Sequence, residues 1–266
     1  MDKGFSPAHR GGAGTPMVCL HGFTDTWRTW ELVLGALEEH HDVLAPTLVG
    51  HAGGPAFDGV INEAVLADGV ERAMDDAGFS TAHIVGNSLG GYVAMQLAER
   101  GRAESVVALA PAGGWAKGGT AFSDLAAYFQ RLQGLVQAAA PFADQLVATP
   151  EGRRMATQEI ATNFEHIPAD LIAHQIRGAA ACEAADALLQ FGAEEAWKLD
   201  GARIECPVRI VWGTADRVLA WPACAERYRD EWTPAADWVT LDGIGHCPQL
   251  DVPTEAAQLI IGFTSS

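Results

Sequence analysis

The stretch His83-Ile84-Val85-Gly86-Asn87-Ser88-Leu89-Gly90-Gly91 sets an apolar run directly before a serine held between glycines. Such a string predicts a strand turning sharply into a helix, with the serine hydroxyl thrust into a pocket where a base can reach it. A turn that sharp strains the backbone at the serine. A side chain at 86 or 90 would collide with the adjacent strand or helix, so glycine is needed at both. Gly91 adds a further small position where the helix must pack closely. Because short strings of this form also occur in ordinary loops, their surroundings decide the reading.

On either side of this stretch, apolar β-rich runs alternate with helical patterns, which predicts an α/β fold with a mostly parallel sheet covered by helices on both faces. The predicted strands run Met17 to Leu20, Asp42 to Ala45, Ala82 to Val85, Ser105 to Ala110, Val208 to Trp212 and Asp237 to Leu241. Helices are expected over Trp27 to Glu39, Ile61 to Asp76, Leu89 to Arg100, Pro222 to Trp232 and Thr254 to Phe263. Met1 to Pro16 is too short for a leading hairpin, so one edge strand is expected to be missing. From Pro111 to Asp200 there is no convincing strand. Helices are predicted there at Phe122 to Ala139, Glu151 to Phe164, Ala169 to Ala181 and Ala184 to Lys198, broken near Pro141, Pro150 and Pro168. The expected organisation is a core of residues 1–112 and 201–266 with a helical cap, 113–200, over the carboxyl ends of the strands.

A hydroxyl is a poor nucleophile at neutral pH, so Ser88 needs a base, and the base needs a carboxylate to orient it. His246 is the expected base, in the loop Asp242-Gly243-Ile244-Gly245-His246-Cys247-Pro248 just after a strand. Asp216 is the expected carboxylate, in Gly213-Thr214-Ala215-Asp216 at the end of another strand. The chain order Ser, Asp, His fits this sheet topology. An oxyanion formed at such a serine needs two donors. The expected donors are the amide of Leu89, at the start of the helix, and that of Phe23, in His21-Gly22-Phe23-Thr24 after the first strand. His21 and His51 are read as structural, His40-His41 as the close of an exposed helix end, and Trp27 and Trp30 as core.

The chain has 266 residues, 48% hydrophobic, enough for one large α/β domain with an insertion. Its formal charge of −17, from 34 acidic against 17 basic residues, opposes binding to nucleic acid and anionic membranes. Five scattered cysteines, Cys19, Cys182, Cys206, Cys224 and Cys247, have no zinc or redox spacing and read as small buried hydrophobes. No cluster suggests a metal, and neither a signal peptide nor a membrane span is recognisable, so a cytoplasmic location is expected.

On His21-Gly22-Phe23, Gly86-Asn87-Ser88-Leu89-Gly90-Gly91, Gly213-Thr214-Ala215-Asp216 and Gly245-His246-Cys247-Pro248 with Asp251 and Pro253 following, the chain resembles the α/β-hydrolase fold superfamily. It is similar to the lidded type related to small carboxylesterases and meta-cleavage-product hydrolases. The resemblance implies an acyl-enzyme mechanism and no cofactor. Haloalkane dehalogenases and epoxide hydrolases of similar architecture use an aspartate nucleophile, against which Ser88 argues. Carbon–carbon bond hydrolases usually carry a Gly-Pro-Gly type loop and a tryptophan after the histidine, where this chain has Phe23-Thr24-Asp25 and Cys247. The expectation is a hydrolase of small to medium carboxylic esters, a monomer or homodimer acting on a small molecule. Phe23, Trp115, Phe142, Phe164, His166 and Leu219 are expected to wall its pocket. A carbon–carbon or lactone hydrolase, or a receptor that keeps the triad, are the alternatives.

Overall fold

The computed structural model describes residues 4–59, 61–62, 64–193 and 197–265. Its centre is a seven-stranded sheet in the order β1-β3-β2-β4-β5-β6-β7. The strands are β1 Ala8–Gly12, β2 Thr15–Leu20, β3 His41–Pro46, β4 Ala82–Asn87, β5 Ala103–Leu109, β6 Val208–Gly213 and β7 Asp237–Leu241. All pair in parallel except β1, which runs antiparallel along β3 with Ala8 opposite Pro46. The inner strands are buried on both faces, which is why they read as continuous apolar runs rather than alternating ones.

Alternate residues of each strand supply two different cores, because successive side chains point to opposite faces. Val18, Leu20, Ile84 and Val106 pack with the helices α2 Val65–Asp76 and α3 Leu89–Glu99. Met17, Cys19, Val85 and Val107 share the opposite core with the helices α1 Glu31–Glu38 and α9 Pro253–Thr264. Between β5 and β6 the described chain is helical: α4 Ala121–Ala139, α5 Ala143–Val147, α6 Pro150–Thr157, α7 Ala169–Ala180 and α8 Ala185–Ala193. Here α5 and α7 form a third core, with Val147, Leu171 and Ile172, which extends onto Cys247 and Leu250 beside His246. Among the described residues no helix is long and apolar enough to cross a membrane.

Several sequence expectations need correction. The edge strand expected to be missing is present as β1; Gly12 and Gly14 at positive φ turn the chain tightly enough to fit five residues of strand before β2. A side chain at Gly12 would run into the His41 carbonyl. His41 does not close a helix but opens β3, where its buried ring bridges the hydroxyls of Thr15 and Thr264. Pro222 to Trp232 is not one α-helix. It forms a 3₁₀ turn at Ala223–Ala225 and a π turn at Tyr228–Trp232, and the Arg227 amide is drawn away to the Gly114 carbonyl. Trp27–Trp30 is likewise a 3₁₀ turn before α1. The helix expected to reach Phe164 ends at Thr157, because the Asp251 carboxylate captures the amides of Thr162 and Asn163. Of the helix expected over Ala184 to Lys198, α8 covers Ala185–Ala193, and 194–196 lie outside the described residues.

Candidate active site

Ser88 follows β4 and immediately precedes α3, with φ 55° and ψ −116°, a conformation that a non-glycine residue holds only when its surroundings fix it. Its amide donates to Leu109, and its carbonyl accepts from Gly91, Tyr92 and Ala112. The glycines are required by space: a Cβ at Gly86 would meet the Gly90 carbonyl, and one at Gly90 the Leu20 carbonyl. The side chain is buried except toward a cavity that it shares with His246.

His246 stands on the loop after β7, and its Nδ1 lies 2.7 Å from Asp216 Oδ2. A carboxylate only accepts, so Nδ1 carries the hydrogen and Nε2 of the neutral ring is left as a proton acceptor. Asp216, on the loop after β6, is itself held: its other oxygen accepts the amides of Val218 at 2.8 Å and Leu219 at 2.7 Å. Both side chains are nearly sealed from solvent. The strand ends therefore bring Asp216 to His246, and His246 to the cavity of Ser88.

Two further residues fix this assembly, through bonds that their motifs alone do not reveal. Asn87 donates from Nδ2 to the carbonyls of Leu109 and His246, and its Oδ1 accepts from the Cys247 thiol and Gln249. It thus ties the serine strand to the histidine loop. Asp251 takes the Gly245 amide at 2.7 Å together with the amides of Thr162 and Asn163, joining that loop to the helical segment. An acid five residues after His246 is the only sequence signal for it. Burial holds the Cys247 thiol well above its ordinary range, so it remains a protonated donor.

The loop after β2 closes the other side. His21 donates from Nδ1 to the Gly22 carbonyl and accepts the Leu48 amide on Nε2, and burial and the nearby His51 push its pKa well down, so it is neutral. Gly22 lies against Ser88, where an added Cβ would approach the serine Cβ at 3.3 Å. Among the described residues, neither the Phe23 nor the Leu89 amide donates a hydrogen bond.

Two cavities meet at Ser88. One, of about 140 Å³, is bordered by His246, Cys247 and the polar side chains of Asp25, Tyr128, Glu159 and Gln175. The other, of about 70 Å³, is bordered by Leu89 and by apolar residues such as Leu66, Leu125 and Leu188. Phe23 and Phe129 line both, with their rings edge to face at 4.8 Å. Desolvation pushes the Asp25 carboxyl up to about 6, against hydrogen bonds from Thr26, Gln175 and Thr29. Burial likewise raises the Tyr128 phenol to about 12.

Of the residues expected to wall the pocket, Phe23 borders both cavities, but the other five do not border either one. Trp115 packs between Phe122, tilted against it, and Trp197, edge to face, and borders a separate groove with Lys117 and Arg227. Leu219 is a core residue behind Asp216. Phe142 is 58% exposed, Phe164 packs against the third core, and His166 donates to the Leu250 carbonyl. The walls come instead from α4, through Phe129, Leu132 and Val136, and from α7, through Ile172, Gln175 and Ile176. Their three- and four-residue spacing marks a face on each helix, but nothing local tells which face looks down. Among the described residues, no group of histidine, cysteine and acidic side chains could hold a metal.

Residues 17–259 match the model of the alpha/beta hydrolase family. Over 209 residues, 76% of this chain and 95% of the relative, the sequence is 35% identical to the epoxide hydrolase EphH of Mycobacterium tuberculosis. Among solved structures, 2-hydroxy-6-oxo-6-phenylhexa-2,4-dienoate hydrolase from a Rhodococcus strain superposes with a TM-score of 0.75 at 19% identity, covering 97% of this chain and 94% of that one. A thermophilic esterase from Thermogutta terrifontis gives 0.64 at 19% identity, covering 96% and 91%. At such identities these two structures speak for the fold alone.

Proposed function

The chain belongs to the alpha/beta hydrolase family, and from that premise we propose that it hydrolyses small to medium carboxylic esters through an acyl-enzyme at Ser88. The observation that carries this reading is His246, held 2.7 Å from Asp216 and facing the same cavity as a serine at φ 55°. In the proposed reaction Oγ of Ser88 bonds to the carbonyl carbon as its proton passes to Nε2 of His246, and the carbonyl π electrons move onto oxygen. The Phe23 and Leu89 amides hold that oxyanion. As the carbon–oxygen bond to the alcohol breaks, His246 returns the proton to the leaving oxygen. Water then adds to the acyl-serine with the same base, the carbon–Oγ bond breaks, and the acid departs. Asp216 stabilises the imidazolium at each stage. We read residues 1–112 and 201–266 as the core that carries this machinery and 113–200 as a cap over it.

Epoxide opening is the second reading, favoured by the named relative at 35% identity and by a protonated Tyr128 phenol at the cavity. Chemistry weighs against it. A serine that opened an epoxide would be left as an alkyl ether, which water and a histidine base do not cleave, whereas an acyl ester at the same oxygen is readily hydrolysed. Replacing Ser88 by alanine is expected to lower kcat on a p-nitrophenyl ester by at least about 10³-fold with the fold intact. A variant that keeps most of the wild-type rate, or a wild type that consumes styrene oxide but no ester, overturns the reading.

A further inference from the structure

The two cavities at Ser88 differ in what they can offer a bound ester. His246 borders only the larger one and Leu89 only the smaller. When an ester is attacked, its leaving oxygen must come within reach of the histidine that protonates it. The oxyanion points to the Phe23 and Leu89 amides, and the acyl substituent occupies the remaining direction, away from His246. We propose that the smaller cavity receives the acyl group and the larger one the leaving alcohol, with Phe129 of α4, braced by Phe23, as the partition that sets substrate specificity. This assignment rests on the ester reading above.

Size and polarity then define the substrate class. A cavity of about 150 Å³ holds a benzene-sized group, so the larger cavity at about 140 Å³ fits an aryl or five- to six-carbon alcohol, and the smaller at about 70 Å³ a short acyl chain. The acyl side is mainly apolar and uncharged, with Asn62, Tyr92 and Gln96 as its polar lining beside Ser88. The alcohol side presents Asp25, Glu159, Gln175 and Tyr128, and none of its described lining residues is a lysine or arginine. A leaving group with hydroxyl or amine donors is matched there, while an anionic one meets carboxylates without a counter-charge.

The helix α4 roofs both chambers, with Leu125 over the acyl side and Val136 over the alcohol side. Two substrate series therefore separate the halves: acetate to octanoate esters of one phenol, and acetates of alcohols graded in size and charge. Leu125→Ala and Leu188→Ala are expected to raise the hexanoate-to-acetate ratio of kcat/KM about tenfold, leaving preferences in the alcohol series within about twofold. Val136→Phe should do the reverse, cutting bulky alcohols about tenfold without moving the acyl preference. Placing enlarging variants on both α4 and α8 makes the test independent of how well either one folds, and thermal melts accompany each. In the wild type, acetylcholine and the acetate of 3,3-dimethylbutanol should both exceed an acetate with an anionic alcohol part. Variants that shift both series alike, or a preference for the anionic alcohol, overturn the assignment while leaving ester hydrolysis intact. If no ester in either series is turned over, the ester reading fails and this inference falls with it.

Discussion

Asp25 sits on the loop after β2 with one oxygen on the Thr26 amide and the other on Gln175 of α7, facing the cavity of Ser88. Desolvation lifts its pKa from 3.8 to about 6, so the folded protein holds a proton there that the unfolded chain has already released. The sign follows from linkage: burial is harmless below pH 3.8, and stability is lost as pH rises through about 6. An asparagine escapes this. Asp25→Asn should therefore gain on the wild type as pH rises from 3.5 to 7.5, by about 2 kcal/mol after allowing for partial contact with solvent. Urea titrations at the two values check it, and a difference that is flat across pH refutes the assignment. Residues of this kind divide by how local their signals are. Ser88, Asp216 and His246 were legible because each carries its own glycines, required where backbone meets backbone at a strand end. The roles of Asn87 and Asp251 were not, since their partners lie up to 162 residues away in the chain.

At the scale of elements, the histidine loop is held from two sides. Asn87 grips the His246 carbonyl from β4, and Asp251 grips Gly245 while anchoring Thr162 and Asn163 of the helical segment. Asp251→Ala leaves the buried Gly245 amide and the partly buried amides of Thr162 and Asn163 without their acceptor, and should cost about 3 kcal/mol of stability and lower kcat by about tenfold or more. Asp251→Asn, which retains one accepting oxygen, should recover part of both. A kcat unchanged in the alanine variant would show that this anchor does not position His246. The parallel strands were legible because burial on both faces writes a continuous apolar run into the sequence. Elements shaped by distant partners were not. The antiparallel β1 depends on two glycine turns and on β3, and the irregular turns between 223 and 232 depend on the pull of Gly114 on Arg227.

Over the whole molecule, acidic residues outnumber basic ones two to one, and the arginines are largely taken up in surface pairs such as Arg10–Asp42, Arg100–Glu71 and Arg209–Asp237. The surplus carboxylates repel one another across the surface, and salt screens that repulsion. Raising sodium chloride from about 10 mM to about 0.5 M should lift the thermal midpoint by several degrees; a midpoint that falls would show that the ion pairs outweigh the surplus charge. Charge of this kind shapes solubility and encounter, whereas the fold rests on the three apolar cores. The helix α4 is the exception to that rule. Across its 19 residues not one is buried, although Phe122, Leu125, Phe129, Leu132 and Val136 form a continuous apolar stripe. The stripe packs on the first core through Phe122 and Leu125 and lines the pair of chambers with Leu125, Phe129, Leu132 and Val136, so a ligand in either chamber is expected to add apolar contacts to α4. A molecule that fits well is thereby expected to tighten the very roof that encloses it.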